Sequence, residues 1–100
     1  MPDFYISAVK YNQTHTHIEK VRTHKVTINN QGKKSFDTTG SENTRKFIAE
    51  LILTGKVSFK TLTTKSNIYS EGQDVRVAGN YLTTDPNNTT RDNLGNLPTF

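Results

Sequence analysis

The 100-residue chain has room for one core of ordinary size, and only 31% of it is apolar, with no tryptophan, so a modest core under a strongly polar surface is expected. The absence of cysteine excludes disulfides, thiolate metal centres and thiol catalysis. The net charge of +4 sits in the first third: Lys10, Lys20, Arg22, Lys25, Lys33 and Lys34 outweigh Asp3 and Glu19 there, whereas residues 37–100 sum to zero.

Residues 3–11 are rich in aromatic and β-branched side chains, which predicts a central strand. Strict alternation places Phe4, Ile6 and Ala8 on one face and Tyr5, Val9 and Tyr11 on the other. Asn12-Gln13-Thr14 reads as a turn into a second strand through residues 17–22, making a hairpin. The apolar phase slips between Val21 and the pair Val26 and Ile28, which predicts a bulge near Thr23 and His24.

Residues 29–40 form a polar connection without periodicity and read as the most mobile segment. A helix follows, with Ser41 or Thr39 as its cap, Glu42 at the positive end of its dipole and Gly55 as a left-handed stop. Phe47, Ile48, Leu51 and Ile52 make one stripe at helical spacing, expected to face the core. Residues 56–62 alternate as a half-buried strand, Ile68-Tyr69 begins a short apolar piece, and residues 70–73 read as a turn. Val75 to Thr83 has the pattern of a compact hairpin around residues 78–80.

The predicted order is β-β-α-β-β-β. The fold class is α+β: an antiparallel twisted sheet, or a small partly closed barrel, with one helix. Short turns favour antiparallel neighbours, because parallel ones need a long crossover. One domain over residues 1–100 is expected, with residues 85–100 a tail that docks on it. Leu94, Leu97 and Phe100 are too many apolar groups for a solvated end. That surface either covers an open sheet edge or offers a face to a partner.

The residues Tyr5-Ile6-Ser7-Ala8-Val9-Lys10-Tyr11, Thr16-His17-Ile18-Glu19-Lys20-Val21, the return strand Tyr81-Leu82-Thr83-Thr84 and the closing Asp92-Asn93-Leu94-Gly95-Asn96-Leu97-Pro98 carry a resemblance. In these segments, and in a helix ending at Gly55-Lys56, the chain resembles a family of short bacterial proteins known as a domain of unknown function, number 3892. The segment from Thr23 to Gly40 departs from it. The resemblance implies a bacterial or phage origin and a compact stand-alone domain, and assigns no activity, cofactor or catalytic residue.

His15 and His17 share a strand face at a spacing that can serve a metal, with His24 seven residues on, or they are two exposed polar residues beside a turn. Acidic residues are scattered, no glycine-framed turn sets a serine or threonine beside a histidine, and no glycine-rich loop cradles phosphate. An enzyme is therefore the least expected class, and no cofactor is implied.

The basic residues Lys10, Lys20, Arg22, Lys25, Lys33 and Lys34 form either a solvated face or a nucleic-acid surface with Tyr5 or Tyr11 beside it. With Val21 inward, Lys20 and Arg22 point outward and no charge is desolvated. The leading expectation is a non-enzymatic domain of bacterial or phage origin that binds another macromolecule, a protein first and nucleic acid second. A small-molecule or nucleotide pocket and a homo-oligomer are further readings. No stretch is apolar enough to span a bilayer and residues 1–3 lack signal-peptide character, which gives the expectation of a cytoplasmic protein.

Overall fold

Two strands dense in β-branched and aromatic side chains, β1 (Phe4–Tyr11) and β2 (Ile18–Ile28), pair antiparallel and form the centre of the molecule. The computed structural model describes residues 2–14, 17–66, 68–78, 81–84 and 97–100, the side chains of Ala78 and Tyr81 apart. Two bulges interrupt the pairing. Ser7 stands unpaired between Ile6, opposite Thr23, and Ala8, opposite Arg22; Glu19 stands unpaired between Ile18 and Lys20. Each extra residue resets the alternation. Phe4, Ile6, Val9 and Tyr11 of β1 therefore all join the core with Ile18 and Val21 of β2. This corrects the strict alternation expected for residues 3–11. No bulge falls at Thr23 or His24: β2 alternates without interruption from Lys20 to Ile28, so Val26 and Ile28 simply lie on the face opposite Val21, and the nearby irregularity is the extra Ser7 on β1.

The chain then runs back along β2 twice. β3 (Lys34–Phe36) pairs with Val26–Ile28 and β4 (Ser41–Thr44) with Lys20–Thr23, separated by an excursion over Asp37–Gly40. The expected featureless connection over residues 29–40 thus contains a strand, and Ser41 lies in a strand rather than capping a helix. Both strands are short and mostly polar. They form by completing the backbone hydrogen bonds of β2, which leaves no apolar pattern to read.

The helix α1 (Arg45–Leu53) starts at Thr44, whose Oγ1 accepts the Phe47 N–H at 3.2 Å, and stops at Gly55, which takes φ +74°. Ile48 is fully buried, and Ala49, Leu51 and Ile52 pack against the core. Phe47 is 48% exposed, so the core stripe is narrower than the spacing predicted. The crossover through α1 is long enough to bring β5 (Phe59–Lys65) in parallel to β1, with Phe4 stacked on Phe59 at 5.3 Å. This parallel pair departs from the all-antiparallel expectation. β6 (Ile68–Asp74) returns antiparallel, and residues 70–73, expected as a turn, lie within it.

The strand order is β3-β2-β1-β5-β6, with β4 on β2 beside β3. Among the described residues the protein is α+β, with one helix and a curled, mostly antiparallel sheet forming a half-barrel. The expected hairpin is present as β7 (Arg76–Ala78) and β8 (Tyr81–Thr83), packed against α1 and supplying Leu82 to the core. At the end of the chain Leu97 is buried. The Val9 N–H donates to the Pro98 carbonyl at 2.9 Å and the Phe100 N–H to the Val9 carbonyl at 3.0 Å. Residues 98–100 thus cover the edge of β1 beyond the end of its pairing with β5. Leu94 lies outside the described residues.

Ile48→Ala should cost about 2–5 kcal/mol in urea unfolding, and Phe47→Ala about 0.5 kcal/mol. Equal losses would restore the broader stripe.

Candidate functional site

The face of the sheet away from α1 carries the remaining organised chemistry. Register places Tyr5, Ala8 and Lys10 of β1 there, with Lys20, Arg22 and His24 of β2, Phe36 of β3 and Lys60 of β5. Tyr5, Ala8 and Leu62 are buried yet belong to no part of the helix-side core, so this face has a small core of its own. Phe36 meets Tyr5 edge-on at 5.4 Å and Tyr69 edge-on at 5.1 Å. Since Phe36 and Tyr69 stand on the two outer strands, the sheet curls toward this face, which is concave.

Glu71 on β6 ties the curl together. Its Oε2 accepts from Lys34 Nζ at 2.6 Å and from the Tyr5 hydroxyl at 2.8 Å, and its Oε1 pairs with Lys60 Nζ at 3.1 Å. One carboxylate thereby holds β1, β3 and β5 to β6. Lys34 Nζ also lies 5.1 Å from the centre of the Tyr5 ring. Hydrogen bonds from Lys34 first, then Tyr5 and Lys60, hold the Glu71 carboxyl down at about 2, and the bond to Glu71 raises Lys34 above its usual value. The Glu71 and Lys34 side chains are about a third exposed, so solvent screens the pair and its contribution is about 1 kcal/mol.

Beside this cluster, His24 is 5% exposed and bonded at both ring nitrogens. A carbonyl only accepts, so Nδ1–H donates to the Asp37 carbonyl at 2.7 Å, and in the neutral ring Nε2 accepts the Ser7 hydroxyl proton at 2.6 Å. The Ser7 bulge aims its hydroxyl at the ring, and the ring joins β1 to the Asp37–Gly40 excursion. Gly40 has φ +74°, and a Cβ there would meet His24 Cε1 at 2.8 Å and the Thr23 carbonyl oxygen at 2.9 Å. The Ser7–His24 pair has the polarity of a nucleophile and its base. With its imidazole buried, the pair fastens the fold.

The six cations singled out from the sequence divide. Lys10, Lys20 and Arg22 share the concave face. Lys34 reaches the Glu71 cluster, Lys25 is exposed opposite Phe4 on the helix side, and Lys33 lies in the turn before β3. Phe100 is half-exposed beneath the Arg22 guanidinium, 5.0 Å from the ring centre. Leu97 serves the helix-side core. His15 lies outside the described residues, and among the described residues no three acidic or histidine side chains gather to hold a metal ion. No helix among them is long and apolar enough to cross a membrane.

Sequence reasoning missed Glu71, Lys60, Phe36 and Tyr69. One signal was present: Gly72 inside an otherwise strand-like run marks close backbone approach as readily as a turn. A Cβ at Gly72 would collide with Thr61 Oγ1.

The profile of the family described as "Protein of unknown function (DUF3892)" matches residues 5–98. The chain belongs to this family. The match runs through Thr23 to Gly40, where the quoted motifs departed from the family pattern, and so includes β3, β4 and the excursion that receives His24. Comparison with curated proteins gives no match, nor does comparison with solved structures.

Glu71→Gln tests the closure of this DUF3892 domain. A depressed carboxyl stabilises the fold above its unfolded value near 4.5 and ceases to do so as pH falls through about 2. Lys34, being raised, contributes fully below 10.5 and loses its contribution only as pH rises beyond that value. The stability difference between wild type and Glu71→Gln should therefore be flat from about pH 5 to 10, shrink below about 4.5 and vanish near 2. Urea titrations across that range measure it. Gly40→Ala should lower stability by about 2 kcal/mol or more through the positive φ and the contact with His24, read from the same titrations.

Proposed function

We propose that this protein is a non-enzymatic, cytoplasmic binding domain of bacterial or phage origin whose partner is another protein, taken up as an extended segment along β6. The supporting observation is the condition of that strand. β6 is the outermost strand on its side of the sheet, and all seven of its residues are exposed. Ile68 and Tyr69 are among its exposed side chains. Natural sheets blunt such edges with lysine, proline or a covering segment. β6 has no lysine or proline, and its register irregularity falls near Gly72, leaving residues 68–71 in regular pairing with β5.

An edge of this kind binds by strand addition, in which backbone hydrogen bonds supply affinity and side-chain pockets supply choice. Beside Ile68 lies a cleft of about 270 Å³ lined by Lys65, Ser66, Ile68 and Ser70. It suits an apolar side chain followed by an acidic one facing Lys65. The absence of cysteine fits a reducing compartment, and the family resemblance supports the bacterial or phage setting.

Selection of displayed peptides against the intact protein tests this reading. Selected peptides should share an alternating pattern with an apolar and an acidic residue, slow amide exchange over residues 68–74, and bind Ile68→Lys at least about tenfold more weakly. Peptides that bind Ile68→Lys as well as wild type would overturn it. So would a dimer in sedimentation that Ile68→Lys dissolves, since a second copy would then occupy the edge.

A further inference from the structure

On the concave face, away from β6, Lys10, Lys20 and Arg22 make a run of positive charge. Lys10 and Lys20 stand directly opposite each other in the β1–β2 pairing. Like charges in that position repel at close range and destabilise a sheet. Arg22 follows on the same face. Among the described residues no carboxylate lies within ion-pairing distance of any of the three, although Glu42 is the cross-strand neighbour of Arg22 and Glu19 adjoins Lys20. The other cations of this face are paired, Lys34 with Glu71 and Lys60 with Glu71 and Asp74.

Arg22 adds a second feature. Its guanidinium lies 5.0 Å from the centre of the Phe100 ring, and Phe100 is held there by the backbone bonds between residues 98–100 and Val9. The two planes make a short platform beside the lysine pair. Bases stack on aromatic rings and on arginine planes whatever their sequence, and a backbone of phosphates relieves repulsion between lysines. A duplex would hide its bases from such a platform.

We propose that Lys10, Lys20, Arg22 and Phe100 bind single-stranded nucleic acid, the lysine pair taking successive phosphates and the Arg22–Phe100 platform taking a base. This surface is separate from the β6 edge, so either assignment stands or falls without the other. It also narrows the basic patch expected from the sequence: Lys25 and Lys33 lie away from it, and Lys34 is engaged with Glu71.

Fluorescence anisotropy with the intact protein and a labelled oligodeoxythymidine of about 12 nucleotides provides the test. Binding at about 50 mM salt should weaken steeply as salt rises. The Lys10→Ala/Lys20→Ala double variant should lose about tenfold or more in affinity and lower the log–log salt slope by about 1.4, the contribution of two phosphates on a single strand. Because it relieves a repulsion, that variant should melt no lower than wild type, which separates lost binding from lost fold. Lys25→Ala/Lys33→Ala, with the same change in charge, should weaken binding by less than about threefold. Arg22→Lys should keep most of the salt slope and lose affinity for the oligonucleotide, while binding to polyglutamate stays unchanged. Absence of binding at about 50 mM salt would overturn the proposal. Equal losses in the two double variants would do so too, by reducing the effect to diffuse charge. Polyglutamate competing as well as the oligonucleotide would remove the role of the platform.

Discussion

The half-barrel depends on one carboxylate. Glu71 accepts from Lys34 of β3, Tyr5 of β1 and Lys60 of β5, so a single side chain of β6 reaches three of the other four strands along the curl. A sheet whose two outer strands lack backbone pairing to each other has no main-chain reason to close. Here the closure is made by side chains, the ion pair from Lys34 to Glu71 and the edge contact of Phe36 with Tyr69. Both lie over Tyr5, which is 3% exposed and serves as the floor of the concave face. The aromatic contacts supply burial, and the carboxylate sets the positions of the strands that carry them.

What makes two faces possible is the pair of bulges at Ser7 and Glu19. Without them, Ile6 and Val9 could not both reach the helix-side core, nor Ile18 and Val21. With them, β1 and β2 give their large apolar groups to α1, and their polar and basic ones, Lys10, Lys20, Arg22 and His24, to the other side. The hydroxyl of the unpaired Ser7 is then taken up by His24, whose other nitrogen holds the Asp37 carbonyl where β3 gives way to β4. The helix-side core and the concave face are consequences of the same two insertions.

This division explains how much was legible in the sequence. The strands with dense apolar content, β1 and β2, the hairpin β7–β8 and the body of the helix could be read, because each carries its own pattern. Phe47 could not be placed, since spacing alone does not show how wide a strip of helix the sheet will cover. β3 and β4 carry almost no apolar residues and exist through backbone pairing with β2. The parallel pair of β1 and β5 depends on where the crossover lands, which is a property of the whole chain. Glu71 was hidden in a segment read as a turn because glycine punctuates turns and strands alike. Of the basic residues, composition showed that they cluster in the first third and alternation about Val21 set Lys20 and Arg22 outward together, but only the register brought Lys10 to the same face and left Lys25 on the other.

The lack of cysteine makes the closure directly measurable, since introduced thiols would be the only ones. Spin labels at Ser35→Cys on β3 and Ser70→Cys on β6, both at exposed positions, report the distance between the outer strands by dipolar electron paramagnetic resonance. With Glu71 in place, the account predicts one short, narrow distance distribution. In the Glu71→Gln background the distribution should lengthen and broaden while the helix-side core stays folded. An unchanged narrow distribution would mean that the aromatic contacts alone close the sheet, and would contradict the role assigned to Glu71.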